Sequence, residues 1–389
     1  MKVCGIIVEF NPLHHGHVTH INETKAITKC DYVLGVMSGN FVQRGEPALC
    51  NKWHRTKMAL LNGVDAVVEI PMQYVITGAD YFARASVQLL NATGVVDSLC
   101  FGSESGNLEE ITRCGEILAK EPEMYKNILR EKLSQGLSFA VAKGAALAGC
   151  MGQDEREGLF TKPNNGLAME YCKANSLMGN RLEIFTTHRV SGGVSATATR
   201  RGLRVGDTME QNMPENVKDI LQGAALARLD DFSSIFRYLL FSNPGKWQGL
   251  EEGLGNRFLN MCGEYEKLSE LIMGVKTKRF AHTRLQRTCL QFMLGVGKED
   301  MRAYEAGGGM QYVRLLGFRK DAAKLVSRMV DKATLPVITH GRAIDEIIWA
   351  GGLPGKMLQE ELRAGDIYRL ATGEKGGVDS ERGMGVMVV

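Results

Sequence analysis

Over the first hundred residues, short apolar runs alternate with stretches of helical periodicity. The runs at residues 3–9, 32–37, 66–70 and 96–101 read as strands, and the segments 16–27, 52–62 and 81–92 between them as helices. Strands that are apolar throughout, each followed by a crossover helix, predict a Rossmann-like parallel α/β sheet covered on both faces. A later run at 182–187 is expected to rejoin that sheet, so the helical stretch 109–177 reads as an insertion, at about 105–180. Beyond residue 204 strand signals fade, and 217–227, 232–241, 268–274, 283–294 and 320–330 read as helices. The expected division is therefore an α/β domain at 1–204 and a mostly α-helical C-terminal domain at 205–389. Residues 373–385, rich in glycine and charge, read as a flexible tail.

Composition narrows this picture. A length of 389 residues allows two or three domains at roughly 150 residues each. With 44% hydrophobic and 23% charged residues the chain is an ordinary globular one. Lys and Arg number 47 against 44 Asp and Glu, a formal charge of +3, so any polyanion must be met by a local patch. The nine cysteines are scattered without a C-x-x-C pair, which fits a reducing compartment and argues against a zinc ribbon or disulfide framework. The first apolar run is broken by Glu9, Asn11 and Pro12 with no cleavage site after it, so it reads as a buried strand and not as a signal peptide. No window approaches the ~20 apolar residues of a membrane span. A soluble, cytoplasmic protein with no membrane partner is expected.

The sharpest chemical signal directly follows the first strand. Asn11-Pro12-Leu13-His14-His15-Gly16-His17 holds the pattern H-x-G-H as His14, Gly16 and His17, at the start of the first helix. There, free N–H groups and the positive helix end face the carboxyl edge of the sheet, and a glycine lets a phosphate approach the backbone. The imidazoles could then donate hydrogen bonds to developing phosphate charge. Metal binding by His14, His15, His17 and His20 is a competing reading, but no nearby cysteine completes a tetrahedral set, so no metal site is expected. Solvated or core-packed histidines are the other alternative. A second signal is Ser195-Ala196-Thr197-Ala198-Thr199-Arg200, hydroxyls ending in a cation before a helical run. Ser195 could be a plain N-cap; together with H-x-G-H, the segment instead reads as a grip on nucleotide phosphates.

H-x-G-H followed by S-x-T-x-x-R resembles the nucleotidyltransferase superfamily. The longer string resembles one family within it, the bacterial tRNA(Met) cytidine acetate ligases. The segments that carry the resemblance are Gly5-Ile6-Ile7-Val8-Glu9-Phe10-Asn11-Pro12, the run 36–48 (Val-Met-Ser-Gly-Asn-Phe-Val-Gln-Arg-Gly-Glu-Pro-Ala), and Phe101-Gly102-Ser103-Glu104. Pro163-Asn164-Asn165-Gly166-Leu167-Ala168-Met169-Glu170-Tyr171 and Lys276-Thr277-Lys278-Arg279-Phe280 complete it. Leu13 and His15 depart from the family's usual Phe and Asn.

The resemblance implies ATP as co-substrate, held by Ile7-Val8-Glu9-Phe10-Asn11-Pro12-Leu13-His14-His15-Gly16-His17-Val18-Thr19-His20 and by Gly102, Asn164, Arg189, Val190 and Ser195. His14, His17, Thr197 and Arg200 are implied as catalytic residues, and Mg2+ is expected with ATP. Read without the resemblance, Pro163-Asn164-Asn165 is also a capping sequence and Arg189 an ordinary surface arginine. The glycine-rich segment 38–47 suits a mobile loop over the site, with Gln43 and Arg44 as candidates for gripping acetate; an Arg44–Glu46 pair in a structural turn is the alternative. Lys276, Lys278, Arg279, Arg284 and Arg287 form a basic run interleaved with Phe280 and His282, implied to bind tRNA, although a solvated helix face would carry the same charges. The implied reaction is activation of acetate as acetyl adenylate, then transfer to N4 of the wobble cytidine of elongator tRNA(Met). No DNA partner is implied. Two other readings stand beside it: adenylylation or cytidylylation of a small phosphorylated metabolite, and RNA binding with a degenerate nucleotide pocket.

Overall fold

A parallel sheet buried on both faces needs strands that are apolar at every position, and the first strand, Val-Cys-Gly-Ile-Ile-Val, meets that need. In the computed structural model this run is β1 (Val3–Val8), followed by α1 (His15–Thr28) and β2 (Tyr32–Ser38). The structure describes residues 1–152, 158–189, 199–200, 202, 212–242, 245, 249–251, 253–277, 280–376 and 381–389. A short hairpin, β3 (Phe41–Val42) and β4 (Glu46–Pro47), precedes α2 (Lys52–Leu61), β5 (Ala66–Ile70), α3 (Met72–Val75), α4 (Ala79–Ala92) and β6 (Ser98–Ser103). Between β6 and β7 (Glu183–His188) lie α5 (Leu108–Lys120), α6 (Glu123–Ser134), α7 (Phe139–Met151), α8 (Gly158–Thr161) and α9 (Pro163–Leu177). The helical insertion is thus present where periodicity put it.

The sheet order is β10 (Met387–Val388), β8 (Val313–Phe318), β5, β2, β1, β6 and β7, with β1, β2, β5, β6 and β7 parallel. The chain steps from β1 outward through β2 to β5, then crosses back to place β6 on the other side of β1. That reversal is the crevice where ligands bind in open α/β sheets. Alternate side chains serve two cores: Val3, Leu34, Val36 and Val68 point to one, Cys4, Ile6, Val33 and Val67 to the other.

The second half is mostly helical, including Ser233–Ser242, Leu268–Val275, His282–Leu294, Ala323–Lys332 and Gly352–Thr372. It also returns three strands to the first sheet, which the fading strand signals after residue 204 did not anticipate. β8 (Val313–Phe318) pairs antiparallel with β5, while β9 (Val337–Ile338) and β10 (Met387–Val388) flank β8 in parallel. A core thus runs across the expected boundary at residue 204. The missed signal has a cause: Arg314 and Gly317 interrupt the apolar pattern of β8, and β9 and β10 are only two residues long. The expectation of a flexible tail at 373–385 is corrected at Glu381, which is buried and ion-paired.

That burial belongs to an ionic cluster under the hairpin. Lys52 Nζ lies 2.7 Å from Glu69 and 2.7 Å from Glu381, and Arg314 Nη1 lies 3.0 and 3.2 Å from the same two carboxylates. Glu361, from the helix Gly352–Thr372, is the third carboxyl, 3.6 Å from Lys52, and it accepts the Met72 N–H at 2.6 Å. Two cations balance two carboxylates, so the third stays protonated: burial, with the Glu69 charge beside it, pushes Glu361 up to about 8. The native state then binds one proton more than the unfolded chain between about 4.5 and about 8, so this group's contribution to stability falls as pH rises through that window and levels off above it. Glu361→Gln is expected to flatten that fall, read as denaturation midpoints from pH 5 to 8.5; an unchanged slope would place the proton elsewhere.

Candidate active site

The crevice beside β1 is a cavity of about 350 Å3. Its lining includes Ile7, Glu9, His14, Gly16, His17, His20, Gln43, Arg44, Gly102, Asn164, Arg189 and Arg200. Residues from six separate stretches of sequence therefore converge where the topology reverses. Val190, Ser195 and Thr197 lie outside the described residues, as do Lys278 and Arg279. Arg200, from the hydroxyl-rich segment, is buried and reaches the histidine cluster's loop, donating from Nη1 to the Asn11 carbonyl at 2.9 Å.

The imidazoles are arranged by the helix start itself. His14 is the N-cap of α1, in extended conformation, and its backbone N–H donates to His17 Nδ1 at 3.2 Å. An Nδ1 that accepts is unprotonated, so a neutral His17 carries its proton on Nε2. The two rings stack at 3.7 Å between centroids, and Phe10 meets the His17 ring edge-on at 5.2 Å. A Cβ on residue 16 would come within 3.0 Å of the His14 ring, so glycine there allows the ring its place. His20 Nδ1 is bonded to Thr187 Oγ1 at 2.7 Å, tying α1 to β7. No acidic residue occupies the first turn of α1, which leaves its positive end to the cavity. His15, Val18 and Thr19 belong to the same first turns without lining the cavity, and Pro12 and Leu13 form the approach, with Leu13 buried in the core.

Burial, reinforced by Arg189 and His15, lowers His14 to about 4, and burial with Arg189 lowers His20 to about 4. His17 is depressed well below the ordinary imidazole range by burial, then by His14, Arg189 and His20. Near neutral pH all three are uncharged donors. We expect NMR titration of the free protein to leave these imidazoles neutral at pH 6, where a solvent-exposed histidine is largely protonated; protonation of all three near 6.5 would contradict the burial described here.

The other wall is equally built. Glu104, in the loop after β6, accepts from the Asn164 and Asn165 N–H groups at 3.2 and 2.8 Å and so caps the start of α9. Asn164 is thereby freed from capping: its side-chain amide donates to Glu104 at 2.6 Å, and its Oδ1 accepts from Arg189 Nη1 at 3.1 Å. Gly102 is the penultimate residue of β6, where a Cβ would crowd the Arg189 side chain at 3.1 Å. The exposed arginine therefore belongs to an ordered chain that faces the cavity.

The segment 38–47 contains a short hairpin, β3–β4, with Phe41 and Val42 buried. Gln43 N–H donates to Glu9 Oε1 at 2.7 Å, and burial raises that carboxyl's pKa against the pull of Arg55, Arg44 and Arg200. Glu46 pairs with Arg200 at 3.6 Å and accepts from Gln286 at 3.2 Å, so among the described residues its partners are these and not Arg44. Arg44 stays exposed at the cavity mouth. Gly45 has φ +85°, and a Cβ there would fall 2.5 Å from the Arg287 backbone nitrogen. Gly45→Ala should thus push the hairpin off the helix His282–Leu294 and lower the denaturation midpoint; an unchanged midpoint would show that the hairpin does not depend on this contact.

One supporting residue was not anticipated. Arg55 of α2 is fully buried and donates to the carbonyls of Glu9 at 2.6 Å, Ser38 at 3.0 Å and Cys50 at 3.2 Å, and also to Gly39. It clamps the carboxyl ends of β1 and β2 together, which sets where the histidine loop and the hairpin leave the sheet. Of the basic run, Lys276 and Arg284 are exposed and Arg287 is half-buried, with Nη1 directed to the Gln43 carbonyl at 3.4 Å.

A parallel sheet with paired imidazoles at its first helix start and an anion-receptive cavity at the reversal defines a nucleotidyltransferase site. The HIGH Nucleotidyl Transferase family model matches residues 1–381, a span that includes His14-His15-Gly16-His17. The "tRNA(Met) cytidine acetate ligase" of Thermoanaerobacter sp. (strain X514) is 35% identical over 390 residues, covering 95% of this chain and 96% of the relative. That of Acetivibrio thermocellus is 33% identical over 394 residues, covering 95% and 94%. The crystal structure of Thermotoga maritima TmcAL bound with alpha-thio ATP matches with a TM-score of 0.92 at 31% identity over 100% of both chains. Within the HIGH class, this chain belongs to the tRNA(Met) cytidine acetate ligase family.

Proposed function

We propose that this protein is an ATP-dependent ligase that activates acetate as acetyl adenylate and transfers the acetyl group to N4 of the wobble cytidine of elongator tRNA(Met). The observation that carries the reading is the meeting of His14, His17, Asn164, Arg189 and Arg200 around one cavity at the sheet reversal. In the first step an acetate oxygen attacks the α-phosphorus, the bond to the β-phosphate bridging oxygen breaks, and pyrophosphate leaves. His17, through its Nε2–H, and His14 would donate to the charge that builds on the phosphates, while Arg189 and Arg200 hold them. Gln43 and Arg44, at the mouth, would orient acetate. In the second step the cytidine amine attacks the acyl carbon, AMP leaves and the amine gives up a proton.

Among the described residues no group of three or more His, Cys, Asp or Glu side chains is placed to hold a metal ion. Mg2+ is accordingly assigned to phosphate oxygens and water. No described helix is long and apolar enough to cross a membrane. The basic run with Lys276, Lys278, Arg279, Arg284 and Arg287 is assigned to tRNA, with phosphate contacts positioning the RNA and an unstacked base being read. Pyrophosphate release that requires acetate tests the first step; release with a phosphomonoester and none with acetate would favour the metabolite nucleotidyltransferase reading.

A further inference from the structure

A second cavity, of about 390 Å3, lies behind the hairpin and outside the ATP-binding crevice. Arg284, Arg287, Lys298 and Arg302 line it against one acid, Glu251, and Tyr81 lines it with them. Glu251 is the ion-pair partner of Lys298. Arg302 and Arg284 are exposed, and the Arg284 guanidinium lies 5.0 Å over the Phe280 ring. Tyr81 is held by the Arg84 guanidinium at 5.0 Å from its ring, and Arg84 is fixed in turn by Glu305 at 2.5 Å. The volume suits one small ligand, and the chemistry is that of a planar base beside an anion: one aromatic ring amid an excess of cations.

The two cavities share their walls. Tyr81 and Phe82 are consecutive in α4, and Tyr81 lines the basic cavity while Phe82 lines the crevice. On the other side, Gln43 lines the crevice while its carbonyl accepts from Arg287, which lines the basic cavity. Gly45 packs its backbone on Arg287. A strand of RNA with one base in the crevice would meet this second cavity at a neighbouring nucleotide.

We propose that this cavity holds a single unstacked nucleotide of the RNA substrate, flanking the cytidine in the crevice, with its base on Tyr81 and its phosphate on Arg284 and Arg302. The proposal rests on the reading of the chain as an RNA-acetylating ligase. It explains why the cations at this end accompany an aromatic ring, which a solvated helix face does not need. By splaying two adjacent bases into separate pockets, the enzyme would select an unpaired loop over a helix.

The test uses the full chain and an anticodon stem-loop RNA carrying a photoreactive 4-thiouridine beside the cytidine. Irradiation should join that nucleotide to the peptide containing Tyr81; attachment only to peptides outside this cavity would overturn the proposal. Tyr81→Ala should raise the KM for the RNA by roughly 10-fold with the KM for ATP unchanged, and Tyr81→Phe should restore it. Loss of affinity for ATP, or no rescue by phenylalanine, would show a structural role and sink the idea. Arg284→Ala with Arg302→Ala should flatten the salt dependence of RNA binding by roughly 0.7 per lost phosphate contact. Cross-linking at Tyr81 without acetyl transfer by the unaltered protein would retain the nucleotide pocket and reject the ligase reading, so the two can fail separately.

Discussion

Replacing His17 with alanine is expected to lower acetate-dependent pyrophosphate release by about 10² to 10³, the effect of removing one preorganised donor from developing charge. The size follows from position. The His14 N–H fixes the His17 tautomer, the His14 and Phe10 rings fix its plane, and burial keeps it neutral. On the proposed reading, this donor would be in place before ATP arrives and would need no reorganisation at the moment of reaction. Equilibrium binding of tRNA by the same variant should stay within about twofold, because Lys276, Arg284 and Arg287 do not line the crevice that holds His17. If pyrophosphate release survives while tRNA binding collapses, the histidine pair belongs to the RNA and not to the phosphates.

The second large effect is on stability. Lys52 is fully buried between Glu69 and Glu381, so Lys52→Met leaves two buried carboxylates with Arg314 as their remaining close cation. Breaking a buried ionic set from one side costs about 3 to 5 kcal/mol, and that loss should appear in the denaturant midpoint. Adding Glu381→Gln, which removes one of the uncompensated charges, should recover part of it. A single variant within about 1 kcal/mol of the unaltered protein would mean that the cluster is neutralised by other means. The cluster also bears on the site: Asn40 Oδ1 accepts the Lys52 N–H at 2.8 Å, and a Cβ on residue 39 would fall 2.6 Å from Glu69. The root of the hairpin that carries Gln43 and Arg44 is seated on these charges.

These two regions differ sharply in how far they can be read from sequence. β1, the His14–His17 motif and α1 are legible because strand, turn and helix start are contiguous, and an apolar run followed by H-x-G-H leaves few alternatives. Gly102, Asn164 and Arg189 are implied only by a family resemblance; the structure shows that they line the crevice, and the Glu104 cap that frees Asn164 joins residues sixty positions apart. Arg55 left one local trace: it shares a helix face with Met58 and Ala59, an apolar face where a cation calls for carbonyl partners. The Lys52–Glu69–Arg314–Glu361–Glu381 cluster left none, because each member looks like an ordinary charged residue until the fold brings five distant segments together. The segment 38–47 reads from sequence as either a mobile loop or a structural turn for a related reason. Glycines and polar side chains mark mobile loops and tight turns alike, and the contact of Gly45 with the helix His282–Leu294 spans over two hundred residues.

Incubation of the full chain with labelled acetate, ATP and total tRNA, followed by digestion to nucleosides, is the most direct trial of the account. Label should appear in N4-acetylcytidine, in amounts that depend on ATP and match the pyrophosphate released. Label-free nucleosides alongside acetate-independent pyrophosphate would contradict it.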